Sequence, residues 1–128
     1  MVDELEFLEG GSYLSLSTLK KSGESVQTPV WFGPGDGAHY IFSAADAGKV
    51  KRLRNFSEVR VAACTVTGSV TGEWFEGTAE LLSNQADIDR ALDALHRKYG
   101  WQMKLTDFMS RISGKYNKRA YIRVTLNN

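Results

Sequence analysis

A chain of 128 residues with 42% apolar and 24% charged residues has the length and mixture of one soluble globular domain spanning residues 1–128, with neither the apolar depletion nor the charge excess of a disordered segment. Sixteen Lys and Arg against fifteen Asp and Glu leave a net charge of +1, so no global field draws the chain to nucleic acid or to an anionic membrane, and any anion site has to be local. The single cysteine, Cys64, excludes an intrachain disulfide and a cysteine-based zinc site, and no apolar run approaches the roughly 18 residues of a bilayer span.

Met1 to Glu9 carries Leu5, Phe7 and Leu8 among acids and stops at Gly10-Gly11. The pattern predicts a short helix, and its acids, where a secretory leader would be basic and then apolar, predict a cytoplasmic protein. Tyr13 to Lys20 alternates, with Leu14, Leu16 and Thr18 on one face and Ser15 and Ser17 on the other, before a turn at Ser22-Gly23. The partner strand, Ser25 to Gly33, contains Pro29, which donates no ladder hydrogen bond and so belongs at an edge, a bulge or a ligand-facing position. Gly33-Pro34-Gly35-Asp36-Gly37 reads as a turn. Ala38 to Ser43 is a third strand, and Ala47 to Asn55 switches to helical spacing. Val59 to Val66 and Gly72 to Leu82 are two long antiparallel strands. Asn84 to Tyr99 keeps Ile88, Leu92, Leu95 and Tyr99 on one helical face, with Gly100 as its cap. Trp101 to Ile112 continues as a shorter helix, and Arg119 to Leu126 is a final strand. Six strands with helices near the middle and end predict a mainly β, α+β architecture: a six-stranded antiparallel sheet curled into a barrel with flanking helices.

The segment with chemistry to offer runs from Ser43 through Ala44, Ala47, Gly48 and Lys49 to Lys51, Arg52 and Arg54. A strand passes through small residues into a basic helix, whose free amides and partial positive charge suit a phosphate that Lys49 reinforces. The competing reading is a solvated basic helix face, and Asp46 is a rival for the same amides if it caps the helix. Thr28-Pro29-Val30-Trp31-Phe32, on the strand expected to pair with Tyr40 to Ser43, offers a surface for a planar ring or a share of the core. His39 and His96 lack the spacing of metal ligands and are expected at the surface, and Cys64 is expected to be a buried apolar residue, so no metal site is predicted. Lys49 to Arg54 with Lys115 to Arg123 could contact nucleic acid, which the near-neutral charge opposes.

These pieces in order, Thr28 to Phe32, Ala45 to Asn55, then Val70-Thr71-Gly72 leading to Glu76-Gly77-Thr78-Ala79, resemble the pyridoxamine-phosphate-oxidase-like superfamily of split barrels, and more narrowly its small branch of deazaflavin (coenzyme F-420)-dependent oxidoreductases. The resemblance implies a homodimer holding a deazaflavin or FMN in each of two grooves between subunits. Lys49 matches the lysine that binds the cofactor phosphate, Ser43 and Ala44 the strand end beside it, Thr28, Pro29 and Val30 the backbone along the ring, and Lys51 and Arg52 its basic neighbours. It implies hydride transfer to a small organic substrate. A flavin carrier or sensor, or a haem-binding split barrel in which His39 or His96 ligates iron, is the alternative. No catalytic residue is assigned.

Overall fold

The computed structural model describes residues 11–35 and 37–127; the short helix expected at Met1 to Glu9 lies outside them. Seven strands, not six, form one antiparallel sheet. They are β1 (Tyr13–Leu19), β2 (Ser25–Val30), β3 (Phe32–Gly35), β4 (Ala38–Ala44), β5 (Glu58–Cys64), β6 (Phe75–Leu81) and β7 (Arg119–Leu126), in the order β2-β1-β5-β6-β7-β4-β3. The added strand comes from a break at Trp31 in the predicted Ser25–Gly33 strand. Before it, Val30 pairs with Leu14 and Thr28 with Leu16; after it, Phe32 pairs with Ile41 and Gly33 with Tyr40. The chain therefore crosses from one edge of the sheet to the other through one residue, which requires the sheet to curl until its edges meet, as a split barrel. The expectation that Thr28 to Val30 pair with β4 is corrected accordingly: only the residues after Trp31 do.

Tyr99 fixes this corner. Its ring stacks on Trp31 at 4.3 Å and 12°, and its hydroxyl accepts the Phe32 amide hydrogen at 2.9 Å while donating to the Ser12 carbonyl at 2.7 Å. One phenol thus takes the place of a strand partner for a backbone group that has left the ladder. Tyr99→Phe keeps the stack and strands the buried Phe32 amide, so we expect a loss of about 1–3 kcal/mol at neutral pH, read as a shift in the denaturant midpoint. Burial, opposed by the Phe32 hydrogen bond, pushes the Tyr99 hydroxyl up to about 12. The fold thus favours the neutral phenol: its contribution is complete below a pH of about 10 and is lost as pH rises through the folded value. The difference between wild type and Tyr99→Phe should narrow over that window; equal midpoints at pH 7 would remove Tyr99 from this role.

Three helices cover the sheet: α1 (Gly48–Asn55), α2 (Gln85–Tyr99) and α3 (Trp101–Ile112), with a single 3-10 turn, Tyr116–Lys118, before β7. The core gathers Leu14, Leu16, Val30, Phe32, Ile41, Val61, Ile122 and Val124 inside the curl. Ser15 and Ser17, expected on a polar face, are buried too, because β1 is an interior strand that sets Ser15 between Pro29 and Ala62 and Ser17 between Gln27 and Arg60. Cys64 is buried as expected, and burial raises its thiol pKa. Among the described residues no helix is long and apolar enough to cross a membrane.

Candidate functional site

β4 ends at Ala44 and the chain turns sharply before α1. The Ala45 amide donates to the Lys118 carbonyl at 2.8 Å and the Ala47 amide to the Ala44 carbonyl at 3.1 Å. Helix α1 then starts at Gly48 with Ala47 as its N-cap, in extended conformation, with no side-chain cap and no acid in the first turn. Asp46 is exposed and does not cap the helix. Val50 and Lys51 send their amides to the Ala47 carbonyl, whereas Gly48 and Lys49 stand too early in the helix to have an intrahelical acceptor. Two donors therefore remain at the positive end of the helix dipole.

Two cations converge there. Arg52 folds back one turn so that a Cβ on Gly48 would lie 2.8 Å from its Nη1, and its Nε donates to Thr18 Oγ1 at 2.6 Å. Thr18 is fully buried, and its hydroxyl makes a long hydrogen bond, 3.5 Å, to the Val26 carbonyl, so one side chain ties α1 to β2 across β1. Lys49 is half-buried, and burial first, then the neighbouring Arg52 charge, pulls its ammonium below the ordinary lysine range. Two like charges near enough to repel, at a helix start whose first turn holds no acid, form an electrostatic environment that an anion would relieve. Lys51 and Arg54 are exposed; for these two the solvated-face reading describes what the structure shows. Val50 and Leu53 are the buried residues that seat α1 on β1 and β6 and so decide which cations turn inward.

The other predicted residues lie apart from this pair. Ser43 is buried and its hydroxyl donates to the Ala44 carbonyl at 3.1 Å. Ser43 and Ala44 wall a cavity of about 690 Å³ together with Phe42, Lys115, Lys118 and Arg119, in which Lys49 and Arg52 take no part. Thr28 is half-buried, Pro29 exposed and Val30 buried, all on β2, which ends the sheet order. An edge is where a proline costs no ladder bond. The Gly68 turn lies against it, with space for a Cβ 3.8 Å from Pro29.

Of the two histidines expected at the surface, His96 is partly exposed, its side chain at 32%, and His39 is not. His39 is 5% exposed, its ring 5.8 Å from that of Phe32, because β4 turns it inward. His96 meets Asp107 Oδ2 through Nε2 at 2.8 Å. The other carboxylate oxygen of Asp107 takes Arg119 Nη1 at 2.7 Å, and Arg119 also donates to Ser110 Oγ at 2.8 Å and lies 4.7 Å from the Phe42 ring. Burial pulls the Arg119 guanidinium down, but hydrogen bonds to Asp107 and Tyr121 hold it above the usual arginine value. This network escaped the sequence reading, although a signal exists: Asp107 follows the buried Met103 by four residues and so falls on the inward face of α3. Among the described residues no group of His, Cys, Asp and Glu could hold a metal ion.

A family model described as pyridoxamine 5'-phosphate oxidase matches residues 3–127. No curated protein matches the chain by sequence. Solved structures share its fold. A conserved hypothetical protein of Mycobacterium tuberculosis, Rv2991, is 20% identical with a TM-score of 0.71, covering 100% of this chain and 82% of its own. The haem storage protein HutZ of Vibrio cholerae is 13% identical at 0.69, covering 97% and 87%. A FAD-binding protein of Mesorhizobium loti is 17% identical at 0.62, covering 99% and 90%. At these identities the likeness establishes the fold alone.

Proposed function

The chain belongs to the pyridoxamine 5'-phosphate oxidase family, and from that premise we propose that it binds a flavin-type cofactor, FMN or the deazaflavin coenzyme F-420, by its phosphate and acts as an oxidoreductase on a small organic substrate. The observation that carries this reading is the convergence of Lys49 and Arg52 on the uncapped start of α1. The residues suit a phosphate: the Gly48 and Lys49 amides have no intrahelical acceptor, the Arg52 guanidinium lies over Gly48, and Lys49 is near enough to feel the Arg52 charge. The bound ring would supply the hydride chemistry, and the protein the grip and the orientation. Lys49 and Arg52 neutralise the phosphate, Thr18 keeps the Arg52 guanidinium from swinging into solvent, and the Thr28–Val30 edge offers backbone along which the ring lies. A second copy of the chain completes the groove in this proposal.

Titration of the purified protein with FMN, coenzyme F-420 and haem, repeated with Lys49→Ala, tests it. We expect at least tenfold weaker binding of the flavin-type ligand in the variant, on the order of 1.4 kcal/mol, from the loss of one charge-assisted contact. Stoichiometric binding of neither flavin would sink the proposal.

The second reading, a haem-handling protein, is favoured by the likeness to HutZ. It is opposed by the histidines: His39 is buried and His96 spends Nε2 on Asp107. A Soret band that shifts in His39→Ala would support it over the flavin.

A further inference from the structure

α3 presents an apolar ridge that stands exposed among the described residues. Trp101, Leu105, Phe108, Met109 and Ile112 are between 51% and 71% exposed, whereas Met103 and Asp107 are the buried residues of the helix. At about 100° per residue the five exposed side chains fall within an arc roughly 100° wide, centred opposite the Met103–Asp107 face. The ridge therefore points away from Leu95, Tyr99 and Arg119, which Met103 and Asp107 meet on the opposite face. None of the five walls the cavity on the sheet face or the one at the β4 end. A contiguous exposed apolar patch with an aromatic at its head marks an interaction site.

The charge around it selects the partner. Between Trp101 and Lys118 the chain carries four cations, Lys104, Arg111, Lys115 and Lys118, and one acid, Asp107. That acid is turned inward to His96 and Arg119. By helical spacing Lys104 and Arg111 fall together along one flank of the ridge, whereas Lys115 and Lys118 wall the cavity at the β4 end. A second copy docked on the same face would set these cations against their duplicates, a like-charge arrangement that opposes self-association. An anionic surface meets both features at once: the ridge enters the boundary between headgroups and acyl chains while the cations remain at the headgroup level.

We propose that α3 docks the protein on an anionic lipid surface, with Trp101, Leu105, Phe108 and Ile112 as the inserted ridge and Lys104, on its flank, as the first electrostatic contact. The docking is peripheral and local, which is how it arises in a chain whose net charge and lack of a long apolar run point away from membranes. It is independent of the cofactor proposal.

The test is cosedimentation of the full chain with vesicles of phosphatidylglycerol and, separately, of phosphatidylcholine. We expect binding to the first, weakened at least tenfold by Phe108→Asp and by Lys104→Glu and reduced by raised salt, with little binding to the second. Tryptophan emission should shift to the blue on adding anionic vesicles, and this shift should vanish in Trp101→Phe. Both charged variants alter exposed side chains, and unchanged far-ultraviolet circular dichroism would show that they fold. No binding to phosphatidylglycerol vesicles overturns the proposal. So does Trp101 emission that changes with protein concentration in the absence of lipid, which would give the ridge to a second copy, or that reddens on deleting residues 1–10, which would give it to the chain's own acidic start.

Discussion

Gly33→Ala should cost the protein about 3 kcal/mol or more, enough to remove a large part of the stability of a domain this size. The residue lies on β3 opposite Tyr40, where α2 crosses so closely that a Cβ would stand 2.5 Å from the Ala94 carbonyl carbon and 2.7 Å from both the Ala94 oxygen and the Leu95 nitrogen. All three are backbone atoms, which cannot rotate aside as a side-chain tip can. Relief requires α2 to lift from the strand, and that helix buries Ala91, Ala94 and Leu95 on its inner side; separating them from β3 and β4 loses core packing as well as creating strain. Gly23 provides the contrast: a Cβ there meets nothing within 4 Å, but the residue sits at φ +90°, so Gly23→Ala should cost only about 1 kcal/mol of conformational strain. Thermal and denaturant midpoints of the two variants measure the difference. A Gly33→Ala midpoint close to wild type would mean that α2 slides on β3 without penalty.

The glycines of this segment also show what local pattern conceals. Gly33-Pro34-Gly35-Asp36-Gly37 reads as a turn, yet Gly33 and Gly35 belong to β3; Gly33 is required by the passing helix and Gly35 by the Tyr40 ring, 2.6 Å from its would-be Cβ. Only Gly37, at φ +71°, serves a turn. Periodicity made α2, α3 and β7 legible, because each carries its own apolar face. It could not show the break at Trp31, since apolar and small residues continue across that point and what changes is the partner strand, a long-range fact. The candidate site divides in the same way. A basic run entering a helix was visible, and Lys49 and Arg52, three residues apart, share a face by spacing alone. That Arg52 is pinned depends on Thr18, 34 residues earlier. The inward turn of His39 and the engagement of His96 depend on contacts that no window of sequence contains.

Asp107→Ala should destabilise the fold by about 3–5 kcal/mol, although no substrate or cofactor group is assigned to it. Its carboxylate is 8% exposed and that of its partner guanidinium, Arg119, 5%, so the pair lies where water cannot replace a lost counter-charge. Removing the carboxylate leaves the guanidinium with Ser110 Oγ, the Thr106 carbonyl, the Tyr121 hydrogen bond and the face of the Phe42 ring, none of which is a carboxylate, and leaves His96 Nε2 without its acceptor. The damage has a direction. Arg119 is paired with Ala44 across β7 and β4, the last rung before the chain leaves the sheet, and the next backbone contact, from the Ala45 amide to the Lys118 carbonyl, fixes the loop that delivers the start of α1. Loosening Arg119 therefore loosens the approach to Gly48 and Lys49. Replacing both members, Asp107→Leu with Arg119→Met, removes the stranded charge together with its partner and should recover most of the stability, because a buried ion pair adds little over apolar residues of similar volume. Denaturant midpoints of the two single variants and the double variant test this. If the double variant is as unstable as the sum of the singles, the cost comes from packing at the junction of α3 and β7, and the buried charge is not its source.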